Sequence, residues 1–598
     1  MPTQPEQAKS EVLDRIAAMI HERVASDQAA QVESFTRQYY RRVDPSDLLQ
    51  RSLPDLYGAA LAQWSFARQR TAGSAKVRVY SPRFEEHGWR SIHSVVEIIT
   101  DDMPFLVDSV SMEVNRQGLV IHLPIHPVLT IRRDDRGELL EVLPDGTAPG
   151  QGLRESIIHI ELDRQTEPEV LERLHQGIER VLDDVRVAFE DWGPMRERVR
   201  EILGQLADEP PAVDPDELAE ARALLEWIDQ GNFTFLGHRV YDLDDEQGED
   251  VLRPVRGTGL GILRETADRP LSPSFAKLPA AVRRLARERH LLVLTKANSK
   301  ATVHRPSYLD YIGVKRFGSD GAVIGEWRFL GLYTSAAYNR NPREIPVLRR
   351  KVTRVLERAG LPPGGHDWKA LQNILETFPR EELFQVSEEQ LFEVAMGILR
   401  LEERRRVRLF LWRDRYGRFV SCLVYVPRDR YTTAVRRRIE EALTVALGGL
   451  SLDFSVRLTE SVLARLYFII RVRPGALAEV DAAELEAKLA EATRSWSDQL
   501  HDCLLEYFGE EQGNLLFGRY AEAFPAAYRE DFPALSAIYD IQRLEELVVG
   551  RDSSMSLYRP LEAPKGTLRF KLLSSQQPLP LSEAVPMLEA MGVRVVEE

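Results

Sequence analysis

The order strand, helix, strand occurs three times along this chain, and the second and third occurrences begin near residues 403 and 567. In the first occurrence, residues 95–99 are rich in β-branched side chains, residues 103–114 carry apolar side chains at helical spacing, and residues 119–125 alternate between apolar and polar. Such a unit alone leaves one sheet face and two strand edges uncovered. The pattern therefore predicts small α+β domains, each with helices on one face of an antiparallel-rich sheet.

Length and charge limit what kind of protein this is. A chain of 598 residues predicts three to five domains, because one domain usually holds roughly 100–200 residues. The net charge of -14 argues against nucleic acid as the main partner, and we interpret the basic run at 404–408 as a solvated helix end. No apolar run is long enough to span a bilayer, and the first residues lack a signal-peptide pattern. Only Cys422 and Cys503 occur, which excludes a disulfide framework and favours a reducing, cytoplasmic location.

The second and third units repeat the pattern. Strands are predicted at 407–412 and 420–426, followed by a helix over 435–447, two more strands, and a long helix that carries Leu485 to Leu504. The third unit begins at Thr567 and is predicted to have a strand at 568–572, a helix at 582–591 and a strand at 593–596. Since the chain then stops, we expect Glu598 to lie inside an unfinished domain.

Residues 215–400 form a block of a different kind. Its predicted strands cover 232–243, 290–295, 308–316 and 323–333, and its predicted helices cover roughly 343–359 and 387–404.

Residues 100–129 combine adjacent acids with histidines and are the first place to look for chemistry. His122 and His126 lie four residues apart on a predicted strand, which separates them by roughly 13 Å, so they cannot share a metal ion. His93 and His159 fall on neighbouring predicted strands and are a conceivable addition to such a site. We interpret all four as side chains of an accessible polar face rather than metal ligands.

Three acids in the same stretch admit three interpretations. Asp101, Asp102 and Asp108 form an acid/base group, or the first two are N-caps of the following helix, with Pro104 in its first turn. In the third interpretation, backbone amides at the turn hold the carboxylate of a small ligand while a nearby acid binds its amine.

Familiar catalytic motifs are missing from the sequence. The segment GTGLGI at 257–262 has Ile262 where a dinucleotide-binding pattern needs its last glycine. There is no phosphate loop, no nucleophile elbow and no His-Glu-x-x-His. We therefore predict no catalytic, cofactor-binding or metal-binding residues in this chain.

Three long motifs carry a family resemblance. DDMPFLVDSV at 101–110, NFTFLGHRVYDL at 232–243 and WRFLGLYTSAAYNRNPREIPVLRRKV at 327–352 resemble the N-terminal part of the large NAD-specific glutamate dehydrogenases of bacteria. The resemblance covers essentially the whole chain. It implies an α+β multidomain fold in which ACT-like βαββαβ sandwiches and a PAS-like α/β module are joined by helical segments.

The resemblance also implies domain limits. We expect a helical lead-in (1–34), a first ACT-like domain (35–195), a PAS-like module with flanking helices (196–400), a second ACT-like domain (401–510), a helical linker (511–552) and the start of a third ACT-like domain (553–598).

ACT domains commonly bind amino acids at the first strand-to-helix turn, through an acid that is closely followed by a glycine. The resemblance therefore implies an effector site at Asp101, Asp102, Phe105 and Asp108. Pro104 stands where the glycine is expected, and proline has no amide N–H to offer a carboxylate. This departure favours a structural, subunit-joining role for the turn.

Beside a self-contained enzyme of an unfamiliar kind, which would have to use scattered groups such as Asp101, Asp108, His122 and His159, two functions remain open at this point. The first is the regulatory and oligomerisation region of an NAD-dependent glutamate dehydrogenase, with the catalytic region, and therefore NAD, outside this chain, because the Gly-x-Lys-Gly-Gly context of that enzyme's lysine is missing here. Its expected partners are further copies of itself, its own catalytic region and amino-acid effectors, with no nucleic acid and no membrane. The alternative is a stand-alone, non-enzymatic metabolite sensor.

Overall fold

The computed structural model describes residues 4–148, 150–246, 249–265, 284–402, 404–473, 480–550, 552–559, 568–575, 580–592 and 594–595. The chain divides into two compact units. The first unit comprises residues 1–402 with the turn at 413–418, and the second comprises 403–412 with 419–598.

The first sheet of the first unit is antiparallel, and β6 lies at its centre. The strand order is β1-β2-β6-β4-β5, and β3 also pairs with β6. The strands are β1 (Lys76–Tyr80), β2 (Ser94–Asp101), β3 (Ile121–Ile125), β4 (Val128–Arg133), β5 (Leu139–Val142) and β6 (Leu153–Leu162).

Helices cover both faces of this sheet, so the prediction of helices on one face is wrong. Leu106–Arg116 and Pro168–Glu190 pack on the face that carries Ile98 and Ile158. The opposite face, with Ile99, packs against the N-terminal helices. These helices are Gln4–Arg23, Ser26–Tyr40, Pro45–Leu49 and Leu53–Ala67, and a short helix Phe84–His87 follows β1. The helical lead-in predicted over residues 1–34 thus contains two helices, and the second extends to Tyr40.

The middle block contains a second antiparallel sheet in the order β10-β11-β12-β7-β8, with β9 paired to β7. Leu236 and Leu332 of this sheet share one core with Ile178 of the helix Pro168–Glu190. The strands are β7 (Phe233–Glu246), β8 (Glu249–Pro254), β9 (Leu260–Gly261), β10 (Leu292–Lys300), β11 (Tyr308–Phe317) and β12 (Val323–Tyr333).

Helices surround this second sheet. The predicted helices near 343–359 and 387–404 are confirmed, and the block contains further helices that were not predicted. The helices are Trp192–Asp208, Pro215–Trp227, the π-helical turn Ile228–Asn232, Arg284–Arg287, Ser335–Asn339, Pro342–Glu344, Leu348–Arg358, His366–Thr377, Arg380–Gln385 and Glu388–Leu399.

The second unit begins with a four-stranded sheet in the order β13-β14-β16-β15. Thr433–Leu447 and Ala482–Ala492 pack on one face of it, around Cys422 and Phe468. The elements run ββαββα, which confirms the order predicted from the residues of this unit, whereas the order βαββαβ implied by the resemblance is wrong. In the first unit β1 precedes β2 in the same way. The outer strand of an antiparallel sheet can come from either end of the domain, because a short hairpin is enough to connect it to its neighbour. The strands are β13 (Arg408–Arg413), β14 (Phe419–Pro427), β15 (Ser451–Arg457) and β16 (Leu463–Arg471), with a helical turn at Arg428–Arg430.

A helical bundle follows and leads to a fourth, two-stranded sheet. The long helix predicted up to Leu504 is broken, because Ser495 caps a new helix by accepting the Asp498 N–H. The bundle helices are Trp496–Phe508, Glu510–Tyr520, Ala526–Asp531 and Ala534–Val548. The last elements are the antiparallel pair β17 (Ser553–Tyr558) and β18 (Arg569–Ser574) and the helix Leu581–Ala590. Strand β18 and this helix lie where they were predicted.

The predicted strand at 593–596 falls largely outside the described residues, and residues 594 and 595 have no regular structure. Across the ranges described, no helix is long and apolar enough to cross a membrane.

Candidate functional site

The turn between β2 and the helix Leu106–Arg116 is the predicted effector site. The helix begins at Leu106, and its N-cap residue is Phe105, which adopts a left-handed conformation (φ 69°) and makes no side-chain cap hydrogen bond. Asp101 and Asp102 lie too early to cap the helix, and Pro104 lies in the turn before it. The predicted capping role of the two acids is therefore wrong.

Both acids form ion pairs with arginines instead. Arg70 Nη2 donates to Asp101 Oδ1 at 2.5 Å. Asp102 donates its backbone N–H to the Arg154 carbonyl at 3.0 Å, and its Oδ2 lies 3.0 Å from Arg154 Nη2. These carboxylates are already engaged by cations of the same chain.

Phe105 and Asp108 lie on the other side of the turn, beside a loop of the middle block. The Phe105 ring lies 4.5 Å from the His304 ring, and the His304 N–H donates to Ser109 Oγ at 3.0 Å. Burial, together with Arg305, lowers the pKa of His304, although the exposed Asp108 opposes that shift. The structure thus divides the four predicted effector residues between two different sets of partners.

We expect Asp102→Ala to lower the free energy of unfolding by less than about 1 kcal/mol, because its partner Arg154 is largely exposed. Arg154→Ala should cost about as much, and the double variant should cost little more than either. Urea denaturation of the three variants measures this. A loss above about 2 kcal/mol for Asp102→Ala alone would show a larger role than this ion pair.

A buried charged cluster lies on the face of the first sheet that the N-terminal helices cover. Glu97 on β2 is the register partner of His159 on β6, and both are at most 1% exposed. His159 Nδ1 lies 3.9 Å from Glu97 Oε1, and its Nε2 lies 3.6 Å from Glu161 Oε1. His122 and His126 are exposed as predicted, whereas the prediction that His159 faces solvent is wrong.

Each carboxylate of this cluster has its own cation. Arg51 Nη2 donates to Glu161 Oε2 at 2.7 Å, and Arg78 Nε donates to Glu97 Oε2 at 2.7 Å. Burial raises the pKa of Glu161, but hydrogen bonds from His159 and Arg51 outweigh it and lower that pKa to about 2. Both carboxylates are paired with arginines, so neither is free to act as a base, while the buried His159 Nδ1 has no hydrogen-bond partner among the described residues.

The low pKa of Glu161 makes the first unit sensitive to acid. Because the folded-state pKa lies below the ordinary value of 4.5, the stabilisation is complete above pH 4.5 and is lost as the pH falls towards 2. We expect Glu161→Gln to flatten that part of the stability-versus-pH curve, and the exposed Glu141→Gln to leave it unchanged. Denaturation midpoints between pH 2 and 6 measure the slope, and equal slopes for both variants would contradict this origin.

A second buried network in the first unit was not predicted. Lys296 Nζ on β10 lies 2.8 Å from Asp310 Oδ1 on β11 and 3.0 Å from Glu381 Oε2 on the helix Arg380–Gln385. Tyr338, from the quoted motif at 327–352, donates its hydroxyl to Glu381 Oε1 at 2.5 Å. The available signal was Asp310, a charged side chain between apolar residues near the start of the strand predicted over 308–316.

The glycines of GTGLGI serve the chain's own backbone. A Cβ on Gly261 would lie 2.1 Å from the Leu236 carbonyl oxygen, and one on Gly259 would lie 2.2 Å from that of Leu263. The Gly261 N–H donates to Asp191 Oδ2 at 2.7 Å. Protein atoms already fill the space beside Gly259 and Gly261, and the Gly261 N–H is already bound by Asp191. This segment therefore does not fit a dinucleotide.

For the described part of the chain, no group of three or more His, Cys, Asp or Glu side chains is arranged to hold a metal ion.

Comparison with known proteins identifies matching glutamate dehydrogenase domains along most of the chain. The matched family models are the ACT1 domain (35–178), helical motif 1 (345–404), the ACT2 domain (408–497), helical motif 2 (503–547) and the ACT3 domain (552–598) of glutamate dehydrogenase. The NAD-specific glutamate dehydrogenase of Halomonas elongata is 42% identical over 99% of this chain. Together these matches show that the chain is similar to the large NAD-specific glutamate dehydrogenases.

Two further NAD-specific glutamate dehydrogenases of this family are similar to the chain. The Pseudomonas aeruginosa protein is 37% identical over 99% of the chain, and the Mycobacterium tuberculosis protein is 31% identical over 90% of it. The aligned region covers 37%, 36% and 32% of the three relatives in turn, so the chain spans about a third of their length. The predicted ACT domains are confirmed.

Proposed function

We propose that this chain is the regulatory and assembly region of an NAD-dependent glutamate dehydrogenase. The parent reaction converts L-glutamate and NAD to 2-oxoglutarate, ammonium and NADH. The observation that carries the proposal is the series of matches to glutamate dehydrogenase ACT domains and helical motifs. The paired state of the buried acids Glu97, Glu161, Asp310 and Glu381 supports a structural role for these residues.

The partners belong to the same proposal. They are further copies of the chain, the catalytic region of the enzyme, and amino-acid effectors. The catalytic region would supply the NAD site, and the protein would act in the cytoplasm. An effector at Asp101, Asp102, Phe105 and Asp108 has to compete with Arg70 and Arg154 for the first two acids. Contact between Phe105 and His304 instead supports a role for this turn in joining the first ACT domain to the middle block.

We also propose that the middle block is PAS-like. Its five long strands form an antiparallel sheet in which the first and last, β7 and β12, are central neighbours. Helical segments precede and follow that sheet along the chain. This architecture is consistent with the PAS-like interpretation, and we assign no ligand to it.

The decisive experiment compares glutamate-dependent NADH formation by the purified 598-residue chain with that of the complete gene product. We expect the chain alone to be inactive and the complete protein to be active. If Lys296→Met in the complete protein abolished activity while the fold was retained, that result would argue against a purely structural role for the network of Lys296, Asp310 and Glu381. NADH formation by the 598-residue chain would contradict the proposal.

A further inference from the structure

Three buried polar side chains of the first ACT domain lack hydrogen-bond partners. The Tyr39 hydroxyl, both amide atoms of Gln63 and Nδ1 of His159 form no hydrogen bond with any residue of the described ranges. Each of these residues is at most 1% exposed, so bulk solvent does not reach them. Roughly nine in ten buried polar groups in folded proteins have a partner, because leaving one unpaired is costly. These atoms therefore indicate that something else binds here.

Tyr39 and His159 lie beside the same buried carboxylate. Their ring centres are 6.2 Å apart, and His159 Nδ1 lies 3.9 Å from Glu97 Oε1. Burial raises the pKa of Tyr39, and Tyr40 and Glu97 raise it further, which places the Tyr39 hydroxyl within electrostatic reach of that carboxylate. The 3.9 Å between His159 and Glu97 is too long for a hydrogen bond, but one bridging water molecule can span it.

Gln63 approaches the same place from the helix side. It lies on the last of the four N-terminal helices, which pack on this face of the sheet. Ala60, three residues earlier, shares a core with Tyr39, and the Phe66 ring, three residues later, lies with its centre 4.7 Å from the guanidinium carbon of Arg78. Arg78 is the arginine that binds the carboxylate on β2. Since residues three apart share a helix face, Gln63 faces the region between these contacts.

The charges around these atoms are already balanced. Arg78 binds Glu97, and Arg51 binds Glu161. A further ion would be buried here without a counter-charge, which is unfavourable. Both hydrogen-bond roles are required, because Gln63 Nε2 only donates, Gln63 Oε1 only accepts and the tyrosine hydroxyl does either. The site therefore favours an uncharged molecule that both donates and accepts, and water is the smallest such molecule.

We propose that a buried water molecule binds between the N-terminal helices and the first ACT sheet. It bridges His159 Nδ1 and Glu97 Oε1 and forms hydrogen bonds with Tyr39 and Gln63. Two to four polar partners are typical of a buried water molecule in a folded protein. The site lies on the face of the sheet opposite the helix Leu106–Arg116, away from the predicted effector residues. Bound water is thus part of the contact that holds the N-terminal helices on the first ACT domain.

Removing the Tyr39 hydroxyl tests the site through the sign of the effect. If the hydroxyl binds water, Tyr39→Phe in the 598-residue chain should raise the equilibrium constant for unfolding about fivefold, as the loss of one hydrogen bond does. If nothing bound the hydroxyl, its removal would relieve a burial cost, and the equilibrium constant would fall. Gln63→Met, which keeps the length of the side chain, should act in the same direction as Tyr39→Phe.

The matched control is Tyr40→Phe. Tyr40 is as buried as its neighbour, and its hydroxyl donates to the Leu56 carbonyl at 2.8 Å. This variant therefore gives the effect of losing a known hydrogen bond at the same depth. Urea denaturation of the unmodified chain and the three variants measures the four equilibrium constants.

Two direct measurements identify the bound molecule. A crystal structure that resolves ordered water should show one water molecule within about 3.2 Å of both His159 Nδ1 and Glu97 Oε1. Mass spectrometry of the supernatant from the denatured chain should detect no stoichiometric small molecule. Empty density at this position, or an equilibrium constant that falls for Tyr39→Phe, would each overturn the proposal. A stoichiometric small molecule, with density larger than water, would replace water by a bound metabolite and would also overturn it.

Discussion

Glu155→Ala is expected to lower the free energy of unfolding of the first unit by about 3–5 kcal/mol. Glu155 lies on β6, is fully buried, and binds two arginines at once. Arg70 Nε donates to its Oε1 at 2.8 Å, and Arg133 Nη2 donates to its Oε2 at 2.8 Å. Removing the carboxylate leaves the buried Arg133 without its ion-pair partner and the buried Arg70 with Asp101 alone, and that desolvation cost produces the loss.

The control for this variant is an exposed pair of the same sheet. Arg132 Nη1 and Glu141 Oε2 lie 2.8 Å apart, and their side chains are 55% and 39% exposed, so Glu141→Ala should cost no more than about 1 kcal/mol. Urea denaturation followed by tryptophan fluorescence compares the two variants. Similar small losses for both would show that Arg70 and Arg133 reach water once Glu155 is removed.

Lys296→Met is expected to produce the second large effect, about 3–5 kcal/mol at pH 7. The variant keeps the length of the side chain but leaves Asp310 and Glu381 buried without their shared cation. Burial already raises the pKa of Asp310 against the opposing effect of Lys296. Burial also raises the pKa of Glu381, but Lys296 and Tyr338 outweigh it and lower that pKa.

The Lys296→Met effect should depend on pH. Without the lysine, the folded-state pKa of the acids rises above the unfolded value, so the folded variant binds more protons, and its stability increases as the pH falls from 7 towards 5. The difference from the unmodified chain should therefore shrink over that range. Lys296→Met with Asp310→Asn should recover part of the loss at pH 7, and Lys300→Met, at the exposed end of β10, should change it by less than about 1 kcal/mol.

A loss that is the same at pH 5 and pH 7 would contradict this origin and indicate instead that the methionine packs poorly. The midpoint of urea denaturation at the two pH values separates these outcomes.

Periodic patterns in the sequence predicted most of the elements correctly. Strand β2, the helix Leu106–Arg116 and strands β11 and β12 were expected close to where they lie, because apolar spacing records which side of an element faces a core. The resemblance carried by three motifs was likewise enough to predict the ACT domains, which the comparisons confirmed.

Only the tertiary structure decided what surrounds each polar side chain. The position of His159 in the alternating pattern of β6 is typical of an accessible histidine. However, helices more than 90 residues earlier in the chain cover that face of the sheet and bury His159 between Glu97 and Glu161. Asp102 has the sequence context of an N-cap, but the left-handed turn at Phe105 starts the helix later and leaves the acid to Arg154. Local spacing determines which side of a strand or helix is apolar. The partner of a buried charge is determined by segments that are distant in sequence and meet only when the whole unit folds.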